Sequence, residues 1–279
     1  MNQPITISPE DYDEFRAFLE AVSGIVLGEN KHYLVTSRLT RLMTELSIPS
    51  FHDMMSKMKA DGKLRHRIMD AMTTNETSWF RDVYPFDVLK ELILPEFAKQ
   101  KLQQIKIWSA ACSTGQEPYS ISMVVSEYQQ TRPGSLPSNA IQVIGTDISP
   151  SVLTQARDGI YEGMAVGRGL TEERKQRFFR AIDSNHMQIS EDVRKRVSFR
   201  EMNLMQSYAG LGKFDIIFCR NVLIYFSPEL KKDIMQRMAY SLRPGGYLIL
   251  GGSESISGYS DEFEMIKWRN GVIYKIKSK

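Results

Sequence analysis

Residues 105–119, I-K-I-W-S-A-A-C-S-T-G-Q-E-P-Y, constrain the fold more than any other stretch of this chain. Ile105, Ile107 and Trp108 form an apolar run of strand length. Small residues from Ser109 to Gly115 follow, and Glu117-Pro118 opens a helix. A strand that ends in small residues and feeds a helix lets a ligand lie against backbone at its C-terminal edge, where ligands bind in open α/β sheets. Residues Ile141–Asp147 repeat the pattern, ending in an acid before Ser149-Pro150 starts another helix through Leu153 and Ala156. Two β-α units in succession imply a parallel sheet.

Downstream, residues Phe214–Cys219 read as a further buried strand. Ser227-Pro228-Glu229 caps a helix that ends near Leu242, and Pro244-Gly245-Gly246 turns into an apolar strand over 247–250. Two short strands, 263–268 and 272–276, flank Arg269-Asn270-Gly271, a strong hairpin signal. Residues 159–200 break the rhythm. There the sequence predicts a helix over 171–181 and a hairpin pairing His186–Ile189 with Val197-Ser198-Phe199, which together make an inserted β-subdomain.

The start of the chain has no period-2 pattern and reads as a small helical bundle. Ser8-Pro9-Glu10-Asp11 supplies an N-cap, a proline at N1 and an acid at N3, ahead of Phe15, Phe18, Leu19 and Val22 at helical spacing. Gly24 and Gly28 interrupt. A second helix covers 31–46, a third opens at Pro49-Ser50, and a fourth covers 64–72 after Asp61-Gly62. Charge is balanced over residues 1–72, nine Lys and Arg against ten Asp and Glu, but not in place. Lys31, Arg38 and Arg41 fall on one helix face, turned away from the Val35, Leu39, Leu42, Leu46 stripe at about 100° per residue. Lys57, Lys59, Lys63, Arg65 and Arg67 form a second basic cluster. Either a solvated surface or a docking face for an acidic partner fits that pattern. Thr73-Thr74-Asn75-Glu76-Thr77-Ser78-Trp79-Phe80-Arg81 then sets polar side chains beside two aromatics and an arginine, and a helix over 85–99 follows.

At 279 residues the chain has room for one large or two modest domains. No apolar run reaches the roughly 20 residues of a membrane span, and the polar N-terminus lacks the basic and apolar regions of a signal peptide. Two cysteines, Cys112 and Cys219, fit a reducing compartment, so a cytoplasmic location is expected. No Cys/His spacing suggests a metal site, and a net charge of +3 argues little for nucleic acid.

In a parallel sheet the strand ends converge on one edge, bringing together Gly115 and Glu117, Asp147, and Arg220-Asn221. An acid just past the second strand suits a pair of ribose hydroxyls, because a carboxylate accepts two hydrogen bonds. The chain lacks the G-x-x-x-x-G-K-[ST] phosphate cradle, and its first loop, with Gly115 as sole glycine, lacks G-x-G-x-x-G. Few glycines and no lysine disfavour pyrophosphate and favour a nucleoside such as S-adenosylmethionine.

Five motifs then occur in order: T-T-N-E-T-S-W-F-R (73–81), W-S-A-A-C-S-T-G-Q-E-P-Y-S (108–120), G-T-D-I-S (145–149), F-C-R-N-V-L-I-Y-F (218–226), and P-G-G-Y-L with G-G-S-E (244–254). With the helical start they resemble the CheR family, the chemotaxis receptor glutamate methyltransferases, over nearly the whole chain. The resemblance implies a Rossmann-like α/β methyltransferase domain (81–279) with a C-terminal antiparallel hairpin and a β-subdomain at about 159–200. An N-terminal helical receptor-docking domain (1–80) precedes it. It implies S-adenosylmethionine as donor, S-adenosylhomocysteine as product, and receptor glutamate carboxylates as acceptors. Asn75, Thr77 and Arg81 match the family's cofactor-facing residues. Glu117 and Asp147 match the acids on the cofactor's amino-acid and ribose parts, Asn203-Leu204 its adenine-side pair, and Arg220, Asn221 and Val222 its post-strand contacts. Arg81 and Tyr225 match the residues nearest the methyl.

Lys31, Arg38 and Arg41 match the basic face that meets the cytoplasmic helices of methyl-accepting chemotaxis proteins. No nucleic acid and no membrane insertion are expected, and the chain is expected to be a monomer. Some members hold a receptor C-terminal pentapeptide on a glycine-containing loop. The matching stretch here, 181–190, has no glycine, so a member independent of that tether is expected. Two other functions compete. A nucleic-acid methyltransferase with an exocyclic-amine acceptor often carries Pro-Pro and an aromatic where Val222-Leu223 follow Asn221 here. A non-catalytic S-adenosylmethionine-binding docking module is disfavoured by intact Arg81, Asp147 and Tyr225. A nucleophilic role for Cys112 or Cys219 is unnecessary, since direct methyl transfer has no covalent enzyme step.

Overall fold

A computed structural model describes residues 6–137, 139–269 and 271–277. Four helices come first: α1 (Pro9–Ser23), α2 (His32–Glu45), α3 (Phe51–Ala60) and α4 (Gly62–Met72). Their starts follow from side-chain caps. Ser8 Oγ accepts from the Asp11 N–H, Ser50 Oγ from Asp53, and Asp61 from Lys63 and Leu64. Gly24 ends α1 at φ 75°, and a Cβ there would lie 2.3 Å from Leu230, so only glycine lets the end of α1 sit so close to the second half of the chain. The bundle has its own core. Tyr12, Phe15, Leu19, Val35 and Leu39 pack with a methionine-rich set, Met43, Met54, Met55 and Met58.

The helix expected over 85–99 is three pieces, α5 (Tyr84–Val88), a π turn (Leu89–Ile93) and α6 (Leu94–Lys99). The β-α rhythm then runs β1 (Ile105–Ala110), α7 (Gln116–Thr131), β2 (Ile141–Asp147) and α8 (Pro150–Asp158). Next come β3 (Ile160–Glu162), α9 (Gly163–Gly167), α10 (Glu172–Phe178), β4 (Phe179–Ala181), β5 (His186–Ile189), α11 (Glu191–Arg194) and β6 (Val197–Glu201). The chain ends with β7 (Phe214–Cys219), α12 (Pro228–Ser241), β8 (Leu242–Leu250), β9 (Phe263–Trp268) and β10 (Gly271–Ile276).

The seven-stranded sheet has the order β6-β2-β1-β7-β8-β10-β9. The strands from β6 to β8 are parallel, and β10 and β9 are antiparallel. The C-terminal hairpin is therefore present, although Asn270 lies outside the described residues, as does Ser138 of the 132–138 loop. Two expectations need correction. The helix over 171–181 stops at Phe178, and 179–181 is a strand. The pairing of 186–189 with 197–199 is absent. Instead β5 is the centre of a separate three-stranded sheet, β3-β5-β4, whereas β6 runs parallel to β2 at the edge of the main sheet. The inserted subdomain thus ends before Val197. Short β6 alternates weakly and one-sidedly in burial, and its partner β2 lies about fifty residues upstream, which no local signal encodes.

Register fixes what matters for function. Ala110 at the end of β1 lies opposite Thr146 of β2 on one side and Cys219 of β7 on the other. Ala111, Asp147 and Arg220 therefore leave the sheet side by side. The chain passes from β1 to β2 in one direction and from β7 to β8 in the other, so this edge is the topological switch point where open α/β sheets bind ligands.

Candidate active site

A cavity of about 280 Å³ opens at that edge, roofed by the α1–α2 connection and by the 73–81 segment. All eleven residues assigned from sequence to cofactor or methyl border it, from Asn75, Thr77 and Arg81, through Glu117 and Asp147, to Asn203, Leu204, Arg220, Asn221, Val222 and Tyr225.

Its floor is built from charged groups already held by partners within the chain. Asp147 is buried, and its carboxylate accepts the Ser113 N–H at 2.8 Å and the Ser149 N–H at 3.0 Å. Burial pushes its carboxyl above the usual value, against the opposing pull of those backbone bonds. Glu117 on the first turn of α7 accepts from Ser109 Oγ and from Arg220 Nη1, both at 2.7 Å. Arg220 also donates from Nη2 to the Arg81 carbonyl and to Asp82, again at 2.7 Å. Burial alone lowers the Arg220 guanidinium pKa, and Glu117 and Asp82 more than reverse that, so it stays charged. Gly115 precedes α7 at φ 94°, where a Cβ would meet Ala156 at 3.0 Å, so the small-residue loop closes against α8. Ala111, Ser113 and Asn221 also have positive φ, each costing about 1–3 kcal/mol where the surroundings enforce it.

Glu254, quoted in the G-G-S-E motif without a role, holds the other wall. Its two oxygens accept the backbone N–H groups of Asn221 (2.7 Å), Val222 (3.0 Å), Leu223 (2.8 Å) and Gly251 (2.9 Å). The amides of Asn221 and Val222 are thereby consumed within the protein. Asn203 is likewise tied down. Its Nδ2 donates to the Val22 carbonyl at 2.7 Å and its Oδ1 accepts from Met205, so it fastens α1 to the wall. The buried Leu204, with Ile148, Met202 and Val222, gives that wall an apolar surface. Tyr225 sits on a short 3-10 turn (Leu223–Tyr225) whose last carbonyl accepts the Val26 N–H at 2.9 Å.

The basic residues of α2 separate. Lys31 and Arg38 border the cavity, and Arg41 does not. Arg38 donates to the Met72 carbonyl and, at 2.9 Å, to Thr74 Oγ1, tying α2 to the 73–81 segment. Arg41 faces outward, 90% exposed, and pairs with Glu45 at 3.0 Å. Of the second basic cluster, Lys59 pairs with Glu14 and Arg67 with Glu45, while Arg65 caps the carbonyls at the end of α3. Cys112 and Cys219 are buried, and burial raises both thiols well above their ordinary value, so neither supplies a thiolate.

This donor set fits S-adenosylmethionine. Carboxylates at the floor repel phosphate but suit ribose hydroxyls (Asp147) and an ammonium (Glu117). The wall beside Leu204 suits a flat base, and the volume is at the small end of small-molecule sites. Among the described residues, no helix is long and apolar enough to cross a membrane.

Comparison with known proteins agrees. Residues 75–272 match the family model described as CheR methyltransferase, SAM binding domain, and residues 10–73 match CheR methyltransferase, all-alpha domain. The chain is 53% identical over 275 residues to a chemotaxis protein methyltransferase of Vibrio parahaemolyticus, covering 98% of this chain and 99% of the relative. It is 50% identical over 269 residues to chemotaxis protein methyltransferase 1 of Pseudomonas aeruginosa, covering 96% and 98%. A chemotaxis protein methyltransferase of Salmonella typhimurium is 32% identical over 282 residues, covering 99% and 93%. The chain therefore has a Rossmann-like, S-adenosylmethionine-dependent methyltransferase domain, and it belongs to the CheR methyltransferase family.

Proposed function

We propose that this methyltransferase esterifies the side-chain carboxylates of specific glutamates on the cytoplasmic helices of chemotaxis receptors. The observation that supports this acceptor is the lack of a free base at the cavity. Among the described lining residues there is no histidine, Cys112 is held as a thiol, Asp147 and Glu117 are engaged by Ser113, Ser149, Ser109 and Arg220, and Glu76 is paired with Arg168 at 2.9 Å. An amine or hydroxyl acceptor would need a proton removed, whereas a glutamate is already ionised at pH 7.

S-adenosylmethionine supplies, when bound, an electrophilic methyl on a sulfonium and leaves as S-adenosylhomocysteine. The chain's own work is alignment and exclusion of water. Asp147 and Glu117 orient the ribose and amino-acid ends, and Asn75, Thr77, Asn203, Leu204, Asn221 and Val222 close around the remainder. Arg81 and Tyr225 stand at the mouth. Arg81 positions the acceptor carboxylate without forming a fully neutralising pair, which would blunt the nucleophile, and Tyr225 donates a hydrogen bond. In this reading residues 1–80 dock the receptor helices and residues 81–279 carry the transfer. Lys31 and Arg41 meet the acidic helix, and Arg38 braces the segment between the two parts.

The test incubates the purified chain with radiolabelled S-adenosylmethionine and chemoreceptor cytoplasmic fragments. Base-labile label on receptor glutamates is expected, because carboxyl methyl esters hydrolyse to methanol. Label found only on added RNA or DNA would overturn the reading.

A further inference from the structure

The segment that carries Arg81 is bent three times into backbone conformations its residues disfavour. Phe80, Asp82 and Val83 have φ of 48°, 66° and 52°. Val83 is β-branched, with ψ −53°, and has no allowed well there. None of the three is glycine, so the turn persists only where its surroundings over-determine it.

Two sets of contacts do so. On one side Trp79 is buried against Tyr161 and Phe179, and its Nε1 donates to the Ala165 carbonyl at 3.1 Å. The Phe80 N–H donates to Ser120 Oγ at 3.1 Å, and the Arg174 guanidinium lies 3.6 Å from the centre of the Phe80 ring. On the other side Asp82 pairs with Arg220 at 2.7 Å, and the same Arg220 nitrogen donates to the Arg81 carbonyl. The Arg220 side chain is 2% exposed and that of Asp82 is 40% exposed. The remaining terminal nitrogen of Arg220 holds Glu117, and its buried Nε has no partner. One guanidinium therefore links Glu117 to the backbone of Arg81, both in the cavity lining. Arg81 borders the cavity, while Asp82, next in sequence, does not.

We propose that Asp82 is a positioning residue for methyl transfer, acting through Arg220 to hold the strained turn shut and to fix Arg81 at the cavity mouth. This rests on the reading of Arg81 as the residue beside the transferred methyl. A charge-assisted bond to a buried guanidinium is strong and directional. Without the Asp82 carboxylate the turn relaxes towards negative φ and carries Arg81 with it, while the cofactor floor stays anchored by Ser113, Ser149 and Ser109. In-line transfer is sensitive to displacements of about 1 Å, which cost on the order of a hundredfold in rate.

The experiment compares wild type, Asp82→Asn, Asp82→Glu, Arg81→Ala and the double variant Arg81→Ala/Asp82→Asn. Each is assayed for S-adenosylmethionine affinity by calorimetry and for kcat on chemoreceptor cytoplasmic fragments. Asp82→Asn should bind cofactor within about twofold of wild type and lose roughly ten- to a hundredfold in kcat. Asp82→Glu, which keeps the charge, should recover much of that loss. The double variant should be no slower than Arg81→Ala, because both changes remove the same interaction. The proposal is overturned by a wild-type kcat in Asp82→Asn, by a loss of cofactor affinity that accounts for its lower rate, or by a double variant slowed by both factors in full. A wild-type rate in Arg81→Ala would remove the reading of Arg81 itself, and Asp82's role with it. A slow Arg81→Ala beside a fast Asp82→Asn would remove the role of Asp82 alone.

Discussion

The floor of the cavity and the outer face of α2 both carry charge, and they use it in opposite ways. Asp147, Glu117 and Arg220 at the floor, and Glu254 behind the wall, are wholly or partly buried, and each is bonded to fixed backbone or side-chain groups at 2.7 to 3.0 Å. On α2 Arg41 is 90% exposed, with one carboxylate partner four residues away. The first arrangement is set before any ligand arrives and is little affected by salt. The second has few fixed partners and is screened within about 10 Å at ordinary ionic strength. Buried charge here shapes backbone; exposed charge is available to something outside the molecule.

The contrast is broken most readily at Glu254. Glu254→Ala strands four backbone N–H groups, and a stability loss on the order of 3 kcal/mol is expected, seen as a melting temperature lower by roughly 6–12 °C. A variant that melts like wild type would show that this wall does not depend on its carboxylate. Next, Asp147→Ala should weaken S-adenosylmethionine binding by about 1.5–3 kcal/mol in calorimetry, the range for hydrogen bonds to a charged group. Unchanged affinity would remove the ribose assignment. On the exposed side, Arg41→Ala should raise KM for receptor fragments by about 1 kcal/mol or less. That difference should shrink as salt is raised, with cofactor affinity untouched. An effect that persists at high salt would mean that α2 works by packing and not by charge.

The smallest effect concerns Glu127, a buried carboxylate away from the cavity with two half-buried cationic partners. Burial pushes the Glu127 carboxyl up, but Arg174 at 2.7 Å and Lys90 at 2.7 Å outweigh it and hold it below its ordinary 4.5. A depressed carboxyl adds stability that is complete above its unfolded-state pKa and is lost as pH falls through the folded value. Glu127→Gln should therefore start less stable at neutral pH and lose less than wild type as the pH falls below the ordinary carboxylate range, measured by denaturant unfolding.

Much of this was legible in residue order, and the reasons differ by region. Strands β1, β2 and β7 are mostly apolar and buried along nearly their whole length, and the helices that open with Ser-Pro begin at the expected cap. The sequence marks 197–199 as a strand, but β6 sits at an edge, half exposed, and nothing local ties it to β2. The three-residue strands β3 and β4 are too short to show a period. The π turn in 89–93 leaves no mark on composition. Glu254 and Asp82 escaped notice for a common reason, since their roles depend on partners 31–33 and 138 residues away in the chain. Arg38 stood among the docking residues because helical phase places it with Lys31 and Arg41. Only the folded chain brings Met72 and Thr74 within its reach.

Glu254 also bears on how genetic data for this family would be read. It stands in the loop after β8, outside the cavity lining, yet it sets the backbone of the three residues that follow Arg220. In a screen for loss of chemotaxis, alleles near the end of the chain would fall in the same phenotypic class as alleles of cavity residues. Protein abundance would expose the Glu254 alleles, since loss of its four backbone bonds lowers the amount of folded protein.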